Sequence, residues 1–276
     1  MNWEVAKNWL IAAFLLLDLI LGWQIIQSHR ETYGYVESYS DLLANTKTVL
    51  ADHGFILATK VPENQPEIPT FRAEEARPQL EQMWSGIFPG ARILKIRHRS
   101  VVTSAGSVTL LRTGYWRVEY EPPLVGIKPA DVLKTALHGN LYVPDPAPES
   151  AAVVTYVEEY QGYPIFDAAI TIHRNKKAIL SYDQNEIVHI TPQGRAKPVI
   201  SAMDALNSLA ESVDNAPIGV DNKILSIQLG YAEKTGVGTL SSSLGRERFW
   251  FPVWRVTTEQ QVYVINALTG EVDLSS

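Results

Sequence analysis

Cysteine is absent from the 276 residues. That removes disulfides, thiol nucleophiles and cysteine-bound zinc, and with them the small secreted scaffolds that rely on disulfide staples. Basic charge is also short. The 24 Lys and Arg against 30 Asp and Glu leave a net charge of −6, the wrong balance for a nucleic-acid partner, whose binding face must be basic. Histidine is sparse, and His29, His53, His98, His138, His173 and His189 make no H-E-x-x-H or other metal spacing. His173 and His189 can meet across neighbouring strands, but with no acid near either they read as ordinary strand residues. Glu158 and Glu159 are adjacent on a predicted strand and so point to opposite faces, which rules them out as an acid/base pair. Gly236-Val237-Gly238 lacks both the Lys-Ser/Thr of a phosphate loop and the third glycine of a dinucleotide loop. Ser241-Ser242-Ser243 has no nucleophile-elbow frame. No catalytic, cofactor or metal site is assigned, and no enzyme activity is expected. Disorder is excluded as well, because 46% hydrophobic residues suffice for a real core.

Long apolar runs are missing too, with one exception. Trp9 to Ile26, WLIAAFLLLDLILGWQII, is apolar but for Asp18 and Gln24, and at ~1.5 Å per residue it approaches a bilayer core of roughly 30 Å. A cleaved signal peptide fits less well. Glu4 and Lys7 cancel, the run is too long, and Gln24 to Tyr33 offers no small-x-small cleavage site. A buried core helix would show a polar stripe. The run is therefore expected to be an uncleaved membrane anchor. Asp18 at its centre costs about 2.5–3.5 kcal/mol, which the eleven Leu, Ile and Phe between Leu10 and Ile26 offset at about 0.3–0.6 kcal/mol each. An ionisable residue at that depth points to a partner helix. Asp18 shares a helical face with Ile11, Phe14, Leu15, Leu21, Gly22 and Ile25, and Gly22 lets another backbone approach. Phe14, Leu15, Asp18, Gly22 and Ile25 are thus the expected interface within the bilayer.

Met1-Asn2-Trp3, Lys7, Ile11 to Leu19 and Gln24 follow the frame M-[DN]-W-x-x-x-K-x-x-x-I-x-x-F-L-x-L-D. This segment resembles the start of the YycI (WalI) family, accessory regulators of the YycG (WalK) sensor kinase of the YycFG (WalRK) two-component system in Firmicutes. Ala6 departs from the Thr of many relatives. The resemblance implies a short cytoplasmic tail (1–8), a transmembrane helix (9–28) and an extracellular body in a bacterial cell membrane. It also implies two partners: a YycG/WalK-like sensor histidine kinase and a YycH/WalH-like membrane protein. Charge alone does not orient the span, since Lys7 and the amino terminus nearly balance His29 and Arg30. Self-association into a homodimer stays open.

The body alternates helical and strand periodicity. Arg30 to Ala51 reads as helix with Gly54 as its stop, and Phe55 to Leu57 as a strand. Lys60 to Thr70, with three prolines, reads as a loop. Ala73 to Phe88 is predicted helical, with Leu80, Met83, Trp84 and Ile87 on one face. Strands are predicted at Ile93–Arg97, Ser107–Leu111 and Tyr115–Tyr120. A helix is expected near Pro129, with Asp131 in its first turn. Pro144 to Pro148 (PDPAP) marks the expected boundary between subdomains 29–145 and 146–276. Beyond it come hairpin strands at Val153–Tyr160 and Ile165–Ile172, then strands at Ala178–Tyr182 and Glu186–Ile190. A helix from Ser201 to Ser212 follows, boxed by Asp204. Ile224–Ala232 and a hairpin of Phe249–Thr257 with Gln261–Ile265 close the chain. The fold class is α+β, antiparallel sheets with packed helices. The helix-then-strands order occurs twice, and the Val262–Val272 stretch resembles the end of PepSY modules.

Phe249-Trp250-Phe251-Pro252-Val253-Trp254 is apolar on both faces. Either both faces are buried, or one meets a partner. Pro252 cannot donate a ladder hydrogen bond and favours an edge or bulge. Trp250, Pro252 and Trp254 are accordingly the expected interface of the body if a partner covers them. Arg97-His98-Arg99 is a small basic patch in an acidic chain. Two functions follow: a non-catalytic, membrane-anchored regulator of the kinase, or an anchored PepSY-type module that recognises an envelope ligand or wall hydrolase.

Overall fold

A computed structural model of the chain describes residues 38–148, 150–213, 222–233 and 247–274. The expected span, with Phe14, Leu15, Asp18, Gly22 and Ile25, lies outside the described residues, as does the Gly236–Gly245 loop. Among the described residues no helix is long and apolar enough to cross a membrane. The chain divides into two units, Met1–Asn45 and Thr46–Ser276. In the first, residues 38–45 open helix α1 (Tyr39–Asp52), where the Asp41 N–H donates to Ser38 Oγ at 3.3 Å as a helix cap.

The second unit continues through Asp52, and Gly54, at φ +77°, ends the helical run with the left-handed turn a glycine allows. There follow β1 (Phe55–Leu57), β2 (Glu67–Glu75), α2 (Leu80–Ile87), β3 (Ile93–Arg97), β4 (Ser100–Thr103), β5 (Gly106–Arg112) and β6 (Tyr115–Val125). A single turn, α3 (Pro129–Val132), and a 3-10 turn (Gly139–Leu141) lead to β7 (Tyr142–Pro144), β8 (Val153–Tyr160), β9 (Tyr163–Arg174), β10 (Ala178–Asn185) and β11 (Ile187–Pro198). Helix α4 (Ala202–Ser212), β12 (Asn222–Glu233), β13 (Glu247–Thr258), β14 (Val262–Asn266) and β15 (Val272–Leu274) complete it. The fold is a sheet-dominated α+β. Its strands run in the order β11-β2-β13-β12-β9-β10-β6-β5-β4-β3, with β1 beside β12, β14 and β15 continuing from β13, and β7 and β8 from β9.

Local signals account for much of this. Helix α4 starts with a capping box: Asp204 N–H donates to Ser201 Oγ at 3.0 Å, and Ser201 N–H donates to Asp204 Oδ2 at 3.2 Å. Its Ala205, Leu206 and Leu209 are buried, and the helix packs on β14 and β15. The β8–β9 turn uses Gln161 and Gly162, both at positive φ, as a two-residue hairpin wants.

Two expectations are corrected. Glu67 to Glu75 is strand, where loop through Thr70 and helix from Ala73 are expected. Ala, Glu and Arg favour helix locally, but Phe71 and Ala73 alternate with polar Arg72 and Glu74, and β2 is paired on both sides, by β11 and β13. The helix is confined to α2, where Met83 and Ile87 are buried. Secondly, strands from either side of Pro144–Pro148 interleave. β6 pairs β10, and β2 lies between β11 and β13. That segment therefore joins parts of one sheet.

Two apolar clusters flank the sheet centre. Met83, Ile87 and Phe88 pack with Val108, Trp116, Val118, Ile172 and Tyr182. Phe71, Ile165, Tyr231 and Trp250 form the core of the second.

Candidate functional site

Trp250, Pro252 and Trp254 are buried along one face of that strand, while on the other face Phe249 is 46% exposed. Trp250 is 2% exposed and stacks on Phe71 with ring centroids 5.5 Å apart. Trp254 is 1% exposed and its indole N–H donates to the Ile200 carbonyl at 3.0 Å. β13 is not an edge. Its outer side is shared by two strands: β2 pairs Glu247 to Trp250, and β14 pairs Val253 to Thr257. Pro252 falls at the handover, where the missing N–H leaves no ladder bond unmade, and its carbonyl accepts from Ala267 N–H at 2.9 Å.

The polar chemistry gathers elsewhere, on the strands around β9 and β10. Glu158 of β8 faces Tyr142 of β7 in register. Glu186, in the step from β10 to β11, meets His138, whose Nδ1 lies 2.6 Å from Glu186 Oε1. His138 holds a left-handed backbone, φ 49°, a conformation that costs a non-glycine residue energy and that the surroundings must enforce. Gln184 donates to the Leu137 carbonyl at 2.6 Å, and Tyr142 OH to the Asn185 carbonyl at 2.9 Å. Glu158 Oε2, Glu186 Oε2 and Gln184 Oε1 are buried with no hydrogen-bond partner among the described residues. Burial, then the Glu186 charge, pushes the Glu158 carboxyl up to about 7. Burial raises Glu186 as well, against the pull of His138. The cluster therefore holds a proton near neutrality.

Beside it, Asp183 of β10 collects a fork from Arg117 of β6, Nε to Oδ1 at 2.6 Å and Nη2 to Oδ2 at 2.9 Å, and His173 Nε2 of β9 at 3.0 Å. Burial alone would raise Asp183, but the bonds from Arg117 and His173 hold its carboxyl below the usual range. A third clamp ties the Pro144–Pro148 segment to the sheet. Arg255 Nη1 donates to Asp145 Oδ2 at 2.9 Å, its Nε donates to Gln228 Oε1 at 3.0 Å, and its guanidinium lies 3.9 Å from the Phe166 ring centroid.

His173 and His189 do not meet. Each has an acid instead, Asp183 for His173 and Glu74, at 3.9 Å, for His189. Glu158 and Glu159 do take opposite faces; Glu158 is buried and Glu159 exposed. Sequence reasoning missed Glu186, His138, Asp183 and Arg117. The one signal available was hairpin register: the Asn175–Lys177 turn sets His173 diagonally across from Asp183. The arrangement can bind and release protons and lock strands together. Glu186 is 2% exposed, and a cavity of ≈ 510 Å³ lies elsewhere, between Phe88, Ala105, Tyr120, Leu124 and Ile127.

Two solved structures are similar at low identity. One is an uncharacterized protein from Eubacterium rectale ATCC 33656, with 10% identity, 85% of this chain and 99% of that chain covered, and a TM-score of 0.46. The other is YycH from Bacillus subtilis, with 12% identity, 83% of this chain and 61% of that chain covered, and a TM-score of 0.44. None of the curated proteins matches the chain. The YycI family, described as YycI protein, matches residues 128–268. That span is just over half of the 276 residues and takes in Glu158, Asp183, Glu186, Arg255 and the β13–β14 hairpin, so the chain belongs to the YycI family.

Proposed function

We propose that this protein is a non-catalytic accessory regulator of a YycG/WalK-like sensor histidine kinase. In this reading residues 9–28 tether it to the bacterial membrane with the N-terminus cytoplasmic, and the body works outside the cell together with a YycH/WalH-like protein. The observation that carries the reading is family membership over residues 128–268. It is supported by an N-terminal segment whose motif resembles that family's, centred on Asp18. Three clamps between distant parts of the chain support it too, Arg117 with Asp183, His138 with Glu186 and Arg255 with Asp145, which suits a rigid platform presented to partners.

The test is capture of the tagged full chain from membranes. Kinase and YycH-like protein are expected to come down together. Asp18→Leu should lose an interhelical hydrogen bond worth about 0.6–2 kcal/mol, roughly a three- to thirtyfold loss of association. Gly22→Leu should weaken the same complex by steric exclusion, whereas Leu16→Ala on the opposite face should not. Unchanged association and unchanged kinase output for both Asp18→Leu and Gly22→Leu would reduce the span to a plain anchor. Capture of a wall hydrolase in place of the kinase would favour the binding-module reading.

A further inference from the structure

The last strand of the sheet, β3, breaks the pattern of the rest of the body. All five of its residues are exposed. Leu94 is 59% exposed, Ile96 63% and Ile93 37%. Among these apolar side chains stand Arg92, Lys95, Arg97, His98 and Arg99, all exposed. No Asp or Glu occurs from Arg92 to Val118, in a chain whose net charge is −6. Among the described residues none of Arg92, Lys95 and Arg97 has an acidic partner. Arg99 donates to the Leu111 carbonyl at 2.7 Å, a contact that leaves its charge uncompensated.

The topology explains why the apolar groups are bare. Ile96 lies opposite Val101 in the β3–β4 register and so shares its face. Val101 is 2% exposed. Helix α2 packs over β4 and β5, while Ile96, across from the buried Val101, is left 63% exposed. The core face therefore runs out past its cover, and Ile96 sits on the overhang. Lys95 and Arg97 alone would suffice to keep another strand from pairing with this edge. Edge protection gives no reason for two large aliphatic side chains to alternate with the charges at such exposure. That mixture of bare aliphatics and unpaired cations matches the boundary of an anionic bilayer, where apolar groups enter the headgroup–acyl zone and cations meet lipid phosphates.

We propose that the β3–β4 hairpin, residues 93–103, is a lipid-contact element that lies on an anionic bilayer surface, with Leu94 and Ile96 inserted and Arg92, Lys95, Arg97 and Arg99 at the phosphates. It needs the body near a bilayer and so rests on the anchored reading above. A body pinned at its hairpin as well as its tether would hold one orientation towards its partners.

The lack of cysteine makes the test clean. The full chain is reconstituted in bilayers of phosphatidylcholine, with or without phosphatidylglycerol, carrying one fluorophore at Ile96→Cys, Lys176→Cys or Leu16→Cys. Lys176 lies in the exposed β9–β10 turn and serves as the reference. Quencher groups sit on the lipids, near the headgroups for positions 96 and 176 and deep on the acyl chains for position 16. The expected result is stronger quenching at position 96 than at 176 in anionic bilayers, falling in neutral bilayers and in high salt. Lys95→Gln with Arg97→Gln should lower the docking equilibrium roughly thirtyfold, about fivefold per charge removed. Equal quenching at 96 and 176 overturns the proposal, as does quenching at 96 that ignores lipid charge. Protection of 96 that grows with protein concentration overturns it too, in favour of edge pairing between copies. The label at position 16 reports the anchor separately. If it escapes quenching while 96 is quenched in anionic bilayers, the anchor reading fails and the hairpin stands.

Discussion

Replacing Glu158 with glutamine is expected to stabilise the protein, and only above acid pH. Burial, with the neighbouring Glu186 charge, carries the Glu158 carboxyl from 4.5 in the unfolded chain to about 7 in the fold. The folded state thus binds a proton more tightly than the unfolded state. Between those two values the unfolded chain releases the proton first, so stability falls as pH rises, and the loss is complete above pH 7. The gap corresponds to about 3 kcal/mol at 1.36 kcal/mol per unit, a sizeable part of a typical total of about 5–15 kcal/mol. Glutamine keeps the shape and cannot ionise. Glu158→Gln should therefore match the parent near pH 4.5 and exceed it by about 2–3 kcal/mol at pH 8. Burial also raises Asp167, to about 6, but that contribution is common to both proteins and cancels in the difference. The assay is urea unfolding of the full chain in mild detergent, followed by fluorescence of the buried Trp116, Trp250 and Trp254. A difference between the two proteins that is the same at pH 5 and pH 8, or a variant less stable at pH 8, would refute the reasoning.

Other expectations follow from the clamps and the close approaches. Arg255→Met should strand the Asp145 carboxylate, whose side chain is 8% exposed, and cost about 3–5 kcal/mol; adding Asp145→Asn should recover part of that loss in a double-mutant cycle. Asp183 is held below its ordinary range, so its contribution is present above 3.8 and vanishes as pH falls through the lower folded value. Arg117→Gln should destabilise at pH 7, and its difference from the parent should shrink in acid-unfolding curves below pH 4. Gly106 has φ +147°, and a Cβ there would stand 2.0 Å from the Glu119 carbonyl oxygen. Gly106→Ala should force β5 and β6 apart and lower the thermal midpoint, by several degrees if the cost is about 1–3 kcal/mol.

Sequence alone carried the features set by near neighbours in the chain. Ser201 with Asp204 announces α4, and Gly54 ends α1. The period-two pattern of Tyr115 to Tyr120 is β6, and the β8–β9 and β13–β14 hairpins fall where turn residues separate apolar alternation. Family membership was legible at residues 1–24, away from the 128–268 stretch that establishes it. Tertiary structure decided what depends on partners far along the chain. Phe71-Arg72-Ala73-Glu74-Glu75 has helical composition but becomes strand because β11 and β13 bond it from both sides. Pro252 marks a handover between β2 and β14 that exists only once both have docked. Arg117 finds Asp183 across 66 residues, His138 finds Glu186 across 48, and Arg255 finds Asp145 across 110. No local pattern encodes such pairs, because each is brought together by strand order, and strand order reflects the burial of the whole sheet rather than any one segment's preference.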